Sequence, residues 1–256
     1  MARSQFKVVI PGQPDPLNTL GTDILTKHTT DGATSPIPAA MATQLQTKLD
    51  EADEKYTLQK ELDGFKEKYN EERNLRLGLH PTQSSTTVGT VLFYVTSIRD
   101  FLLGQYRGSE RKLGDWGFVV NSPKNAVKIV IPRNPEKLIK LAQAILEKHT
   151  DDGAGSILSG FDMAAFETLT EEADTRNGQA AKANRDKEKA TQARNLALGT
   201  AKGQNRKTVG TATYIICSIR DILLGSYRGQ EQRLGDWGFT VNFNTTPPPT
   251  PPPPGG

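Results

Sequence analysis

The strongest constraint on how this chain can fold is that it repeats itself. Leu113, Gly114, Asp115, Trp116, Gly117 and Phe118 recur in the same order as Leu234, Gly235, Asp236, Trp237, Gly238 and Phe239, an offset of 121 positions. The same shift superposes VGT at 88–90 on VGT at 209–211, and SIRD at 97–100 on SIRD at 218–221. Between Val88 and Asn121, 22 of 34 positions are identical to their counterparts. Upstream, FKVVIP at 6–11 faces VKIVIP at 127–132, and Arg73-Asn74-Leu75 faces Arg194-Asn195-Leu196. No insertion or deletion interrupts the register. Self-similarity at a fixed period is the mark of a unit built twice, so the expectation is a tandem duplication with repeats at 1–121 and 122–244 and a tail at 245–256.

Identity is uneven along the unit. Only 7 of 30 positions between 41 and 70 agree with 162–191. A packed end with a solvated middle produces such a contrast, and so does functional divergence of the middle segment.

Each repeat opens on a short β-rich run, Phe6–Ile10 or Val127–Ile131, stopped by Pro11 or Pro132. In the second repeat Asn134-Pro135 reads as an N-cap followed by a first-turn proline. Leu17, Leu20, Ile24 and His28, like Leu138, Leu141, Ile145 and His149, then follow at helical steps. Asp-Gly at 31–32 and 152–153 ends that helix. A second, long helix starts near 37 and near 158. Leu45, Leu49, Ala52 and Tyr56 mark its stripe in the first repeat, continued by Leu58, Leu62, Phe65 and Tyr69. The second repeat keeps only Ala173, Ala180, Ala183 and Ala190 there, small enough for a partner helix to approach closely. A third helix is expected over Thr87–Tyr106 and Thr208–Tyr227, with Gly108 and Gly229 beyond its last turn.

LGDWGF then reads as the corner that folds an indole back onto the helix ends and leads into a closing strand. GFVVN-SPKNA-VKIVIP is a hairpin signal, so the end of the first repeat should pair with the start of the second. The expected fold class is mainly α: a tandem three-helix unit with a long helical hairpin, flanked by short strands and joined by a central β-hairpin.

The order of IPRNP-x-K-L, A-I-x-x-K-H, L-L-G-x-Y-R-G and L-G-D-W-G-F-x-V resembles a set of uncharacterised bacterial tandem-repeat helical proteins. The resemblance covers nearly the whole chain and implies a mostly helical tandem unit. It carries no established activity and no catalytic residues.

Composition narrows the function classes. A net charge of +3 with interleaved signs argues against a dedicated nucleic-acid binder. One cysteine, Cys217, excludes an intramolecular disulfide and a thiolate metal cage. The longest apolar runs, Val91–Val95 and Tyr214–Cys217, fall far short of the roughly 20 residues a bilayer span requires. With no signal-peptide pattern, the expectation is a cytoplasmic protein that does not insert into membranes.

Chemistry-bearing residues read as structural. His28 and His149 sit at matched helix ends, where the dipole favours them, and no ligand spacing accompanies them. His80 faces Ala201. Arg99-Asp100 and Arg220-Asp221 are each expected to bond a neighbouring helix rather than act as an acid–base pair. Gly199, Gly203 and Gly210 are read as loop glycines, since no strand leads into them as a phosphate cradle requires. Cys217, aligned with Thr96, is a small buried hydrophobe. No enzyme, cofactor or metal is expected. The tail from Thr245, TTPPPTPPPPGG, reads as a polyproline spacer.

Two functions remain. In the first, the strands at 6–10 and 239–243 (Phe6, Val8 and Ile10; Phe239, Val241 and Phe243) are edges unless they pair within their own molecule. Pairing between molecules would give a self-assembling structural protein, a filament with itself as partner. In the second, the chain is a binding or adaptor module that uses the divergent long helices, with the proline tail as linker.

Overall fold

The computed structural model describes residues 6–121 and 128–243. The turn of the expected central hairpin and the proline-rich tail lie outside the described residues. The elements are β1 (Phe6–Val9), α1 (Pro14–Asp31), α2 (Ala39–Leu77), α3 (Val91–Gln105) and β2 (Val119–Asn121), followed by β3 (Lys128–Val130), α4 (Pro135–Asp152), α5 (Met163–Leu198), α6 (Ala212–Ser226) and β4 (Thr240–Phe243). Short 3₁₀ segments follow α1, α3, α4 and α6. The chain is mainly helical, with two short antiparallel strand pairs. The 121-residue offset carries the limits of α1 onto α4, of α3 onto α6 and of the LGDW 3₁₀ segments onto each other.

Local chemistry explains the boundaries. Proline occupies the first turn of α1 and of α4. Asn134 caps α4 by accepting from the Lys137 amide at 3.1 Å, as expected. Its counterpart Gln13 makes no side-chain cap, because its longer side chain favours that geometry less. Gly32 and Gly153 leave the helix at φ 53° and 52°, where a β-carbon is strained. The third helices start later than expected. Thr90 and Thr211 are their N-caps, accepting from Phe93 and Tyr214, and Gly89 and Gly210 before them are left-handed. Val88 and Val209, inside the expected helix spans, therefore lie outside the helices, 76% and 75% exposed.

The strand pairs decide the architecture. β2 pairs with β3, Val119 opposite Val130 and Val120 opposite Ile129. β1 pairs with β4, Val9 opposite Thr240 and Val8 opposite Val241. The offset converts one register into the other residue for residue. The expected terminal edges are thus paired with each other inside one chain. Ile10 and Phe239 flank these strands and are buried.

Two compact units result, and neither is a single sequence repeat. Unit 1 takes residues up to Gln59 and from Glu188 onward; unit 2 is Lys60–Lys187. The core of unit 1 joins Leu17, Ile24, Leu45 and Leu49 to Ile216, Ile219, Leu223 and Trp237. That of unit 2 joins Val95, Ile98, Leu102 and Trp116 to Leu138, Ile145 and Phe166. Both unit boundaries fall within the long helices α2 and α5. In unit 2 these helices pair antiparallel, through Arg76–Glu172 at 2.5 Å, Arg176–Glu72 at 2.8 Å and Lys187–Asp63 at 2.6 Å. Ala173, Ala180 and Ala183 are buried there, as a close helix approach requires. The antiparallel partner of each long helix therefore comes from the other half of the chain. On the α2 stripe the pattern of burial breaks: Leu58 and Phe65 are exposed.

Candidate interaction faces

The repeated LGDWGF hexapeptide does its work through the neighbouring half of the chain. Glu110–Trp116 and Glu231–Trp237 wind as 3₁₀ turns closed by Gly117 and Gly238, whose φ values are 83° and 82°. The Gly117 and Phe118 amides donate to Gly114 and Leu113, which fixes the exit into β2. Trp116 and Trp237 are each 1% exposed. The Trp116 turn packs on α4 and the Trp237 turn packs on α1. Lys148 of α4 lies over the Trp116 ring at 5.7 Å and bonds Asp152. The Asp152 hydrogen bond raises the Lys148 pKa, and the charge of Asp115 adds to it. Lys27 of α1 is raised in the same way by Asp31, with Asp236 contributing. Each hexapeptide thus packs on a helix from the opposite half of the sequence, and the Trp116 ring also takes a lysine over its face.

Once this corner is closed, the ribbon that follows it stands beside the flank of that helix. In unit 2 a groove of about 530 Å³ opens between them. Its floor is apolar: Gly117, Val119 and Val130 from the ribbon side, Leu141 and Ala144 from α4. Val119 and Val130, opposite one another in the ladder, are 63% and 42% exposed. Lys137 and Lys140 line the same groove one turn toward the α4 N-terminus. Neither lysine has an ion-pair partner among the described residues.

The equivalent positions of unit 1 carry different chemistry. Pro16 and Thr19 stand where unit 2 has Lys137 and Lys140, and Asp23 stands where it has Ala144. Asp23 also closes on the corner. A β-carbon placed on Gly238 would lie 2.8 Å from the Asp23 β-carbon. One face therefore carries an alanine and two lysines, while its twin carries an aspartate, a proline and a threonine.

A second concave area lies in unit 1, lined by Lys48, Glu51, Lys55, Ala193 and Ala197. Ala193 and Ala197 replace Glu72 and Arg76, the residues that form cross-helix ion pairs in unit 2. Lys48 and Lys55 there are paired to Glu51 and Glu54.

The remaining candidate residues are fixed in structural bonds. His28 meets Ser35 at 2.7 Å and His149 meets Ser156 at 2.6 Å. The same hydroxyls accept the amides of Ile37 and Leu158, so each pair ties down the turn after its helix. The two serines were not singled out from the sequence, although they occupy matched positions. His80 bonds Thr82. Among the described residues, Arg99 and Arg220 make no bond to a neighbouring helix. Each bonds the aspartate next to it, Asp100 at 2.6 Å and Asp221 at 2.6 Å, on an exposed face. Cys217 is buried in the unit 1 core, and that burial pushes its thiol pKa up, away from a reactive thiolate. Gly199, Gly203 and Gly210 turn the α5–α6 loop with positive φ.

Arg194 and Arg73, at matched positions, were visible only as part of a shared Arg-Asn-Leu. Arg194 lies over the Tyr56 ring at 4.3 Å and bonds Asp15 at 2.5 Å. Arg73 bonds Asn177, the counterpart of Tyr56, at 2.9 Å and feels the charge of Glu136.

Among the described residues no cluster of three or more metal-ligating side chains occurs, and no helix is long and apolar enough to cross a membrane. No protein-family model, curated protein or solved structure matches this chain.

Proposed function

We propose that the chain is a tandem duplication of one three-helix unit serving as a binding module, and that unit 2 docks an extended, acidic, partly apolar segment of a partner protein. The observation that carries this reading is the unit 2 groove. Two exposed valines on a ribbon and two lysines without an ion-pair partner among the described residues converge on one concavity. Its volume falls within the range of about 300–1,000 Å³ typical of binding clefts. The acidic residue at the matched place in unit 1 gives the duplication a purpose, since one face attracts what the other repels.

The adaptor reading that used the long helices moves to this ribbon face. The filament reading is less well supported by the geometry. β1 and β4 already hold each other within one chain, where their mutual effective concentration is on the order of millimolar or above. An intermolecular pairing has to compete with that.

The test is fluorescence anisotropy of the full chain with a labelled peptide that alternates Glu and Val. Binding that weakens with salt, and weakens at least tenfold in the Lys137→Glu, Lys140→Glu variant, supports the docking face. Equal affinity in the variant, or no binding at all, removes it.

A further inference from the structure

We infer that the surface each half of the chain presents to the other is a self-recognition surface, whose fitting partner is a second copy of the same half. This does not depend on the groove, because it rests on how the two cores are assembled. The half ending at Asn121 gives its residues up to Gln59 to unit 1 and the rest to unit 2; the half beginning at Lys128 completes both. No core is completed by one half.

Strand pairing, indole packing and an arginine's acidic neighbour keep their chemistry if the second half is replaced by another first half. Val119 opposite Val130 becomes Val119 opposite Val9, Val120 opposite Ile129 becomes Val120 opposite Val8, and Asn121 opposite Lys128 becomes Asn121 opposite Lys7. Trp116, now under Lys148, meets Lys27, the same residue type in the same helix turn. Arg73, which feels the charge of Glu136, would have Asp15 at the matched place. Strand register, indole packing and charge sign all persist.

Other contacts change: Asn18 replaces the buried Ile139, Tyr56 replaces Asn177 beside Arg73, Asp23 replaces Ala144 beside Gly117, and two aromatic contacts are lost. Tyr94 stacks on Phe166 at 5.3 Å, and Phe101 meets Phe161 edge-on at 5.5 Å. Their unit 1 counterparts are Ile215 with Leu45 and Ile222 with Ala40. Aromatic residues are matched with aromatic, and aliphatic with aliphatic, only when pairing runs between halves. Pairing within a half would set Tyr94 against Leu45 and Phe101 against Ala40. The two halves have therefore specialised toward each other on an interface that still recognises its own kind. Two lost aromatic pairs make the mixed pairing favoured by about tenfold or more over self-pairing.

A protease site placed between Asn121 and Lys128 of the full chain tests this after folding. The cut halves should stay together at the mass of the intact 28.0 kDa chain. The first half, separated in denaturant and refolded alone, should double its molar mass by light scattering. Adding the second half should displace that homodimer about tenfold in favour of the mixed pair. Ala40→Phe with Leu45→Phe, which restores an aromatic partner for Phe101 and Tyr94, should strengthen the homodimer. Halves that part as folded monomers would overturn the inference. So would a first half that stays unfolded or monomeric even with both substitutions.

Discussion

Gly117 separates two reasons why a corner needs glycine. Its φ of 83° strains any β-carbon, and a β-carbon built there would lie 2.7 Å from that of Ala144 on α4. Gly108, in the same unit, has φ 82° and open space around it. Gly108→Ala therefore carries the backbone cost alone, about 1–2 kcal/mol, offset in part by about 0.4–1 kcal/mol of lost unfolded-state freedom. Gly117→Ala adds overpacking of about 1–3 kcal/mol, because neither β-carbon can rotate away. The net expectation is about 1 kcal/mol for Gly108→Ala and about 2–4 kcal/mol for Gly117→Ala. Urea unfolding can read the difference in a common Trp237→Phe background, where the remaining indole, Trp116, reports unit 2. With a slope of about 2 kcal/mol/M, the Gly117→Ala midpoint should lie roughly 1 M below that of Gly108→Ala. Adding Ala144→Gly removes the collision at a helix cost of about 0.5–1 kcal/mol, so the double variant should be more stable than the sum of its parts. Equal midpoints for the two alanine variants, or strict additivity with Ala144→Gly, would refute the close-approach argument.

Four further outcomes are expected. A double-mutant cycle of Tyr94→Ile and Phe166→Leu should give a coupling of about 0.5–1.5 kcal/mol, and zero coupling would deny the stacking a role. Arg194→Met should cost about 2–3 kcal/mol in thermal or urea unfolding, because it removes a cation over Tyr56 and a charged hydrogen bond. Asp15→Asn should cost under about 1 kcal/mol, since the Asp15 side chain is 75% exposed and the solvent screens the pair. Glu110 and Glu231 accept the amides of Gly108 and Gly229, which holds both carboxyls below their ordinary pKa. Their stabilising contribution is present above pH 4.5 and is lost as pH falls through the lowered folded values. Carboxyl carbon shifts in an NMR titration should show both midpoints below 4.5, and Glu110→Gln with Glu231→Gln should flatten the acid limb of the stability profile.

Much of the secondary structure was legible because its signals are local. Proline at the start of α1 and α4, glycine past α3 and α6, and Leu-Ile spacing on α4 each act within a turn or two. The late start of α3 was misread because Val88 continues an apolar spacing that Gly89 and Thr90 then interrupt. The partner of each helix was not legible, for a physical reason. When two halves carry the same residues, contacts within a half and contacts between halves have the same chemistry and nearly the same energy. Only positions that diverged together break this degeneracy, and Tyr94 with Phe166 and Phe101 with Phe161 are such positions. The groove lysines were hidden for a different reason. Lys137 and Lys140 look like an ordinary solvated helix flank until the ribbon closes beside them.

The pairing of Phe6 with Phe243 has a mechanical consequence. Both ends of the described chain leave unit 1 from adjacent strands, side by side. A load pulling those ends apart would meet the β1–β4 bonds one rung at a time, as a zip opens, instead of shearing them together. Such a seam yields at low force, because each rung bears the load in turn. Under a load applied through both ends of the described chain, the β1–β4 seam would be the first contact to open.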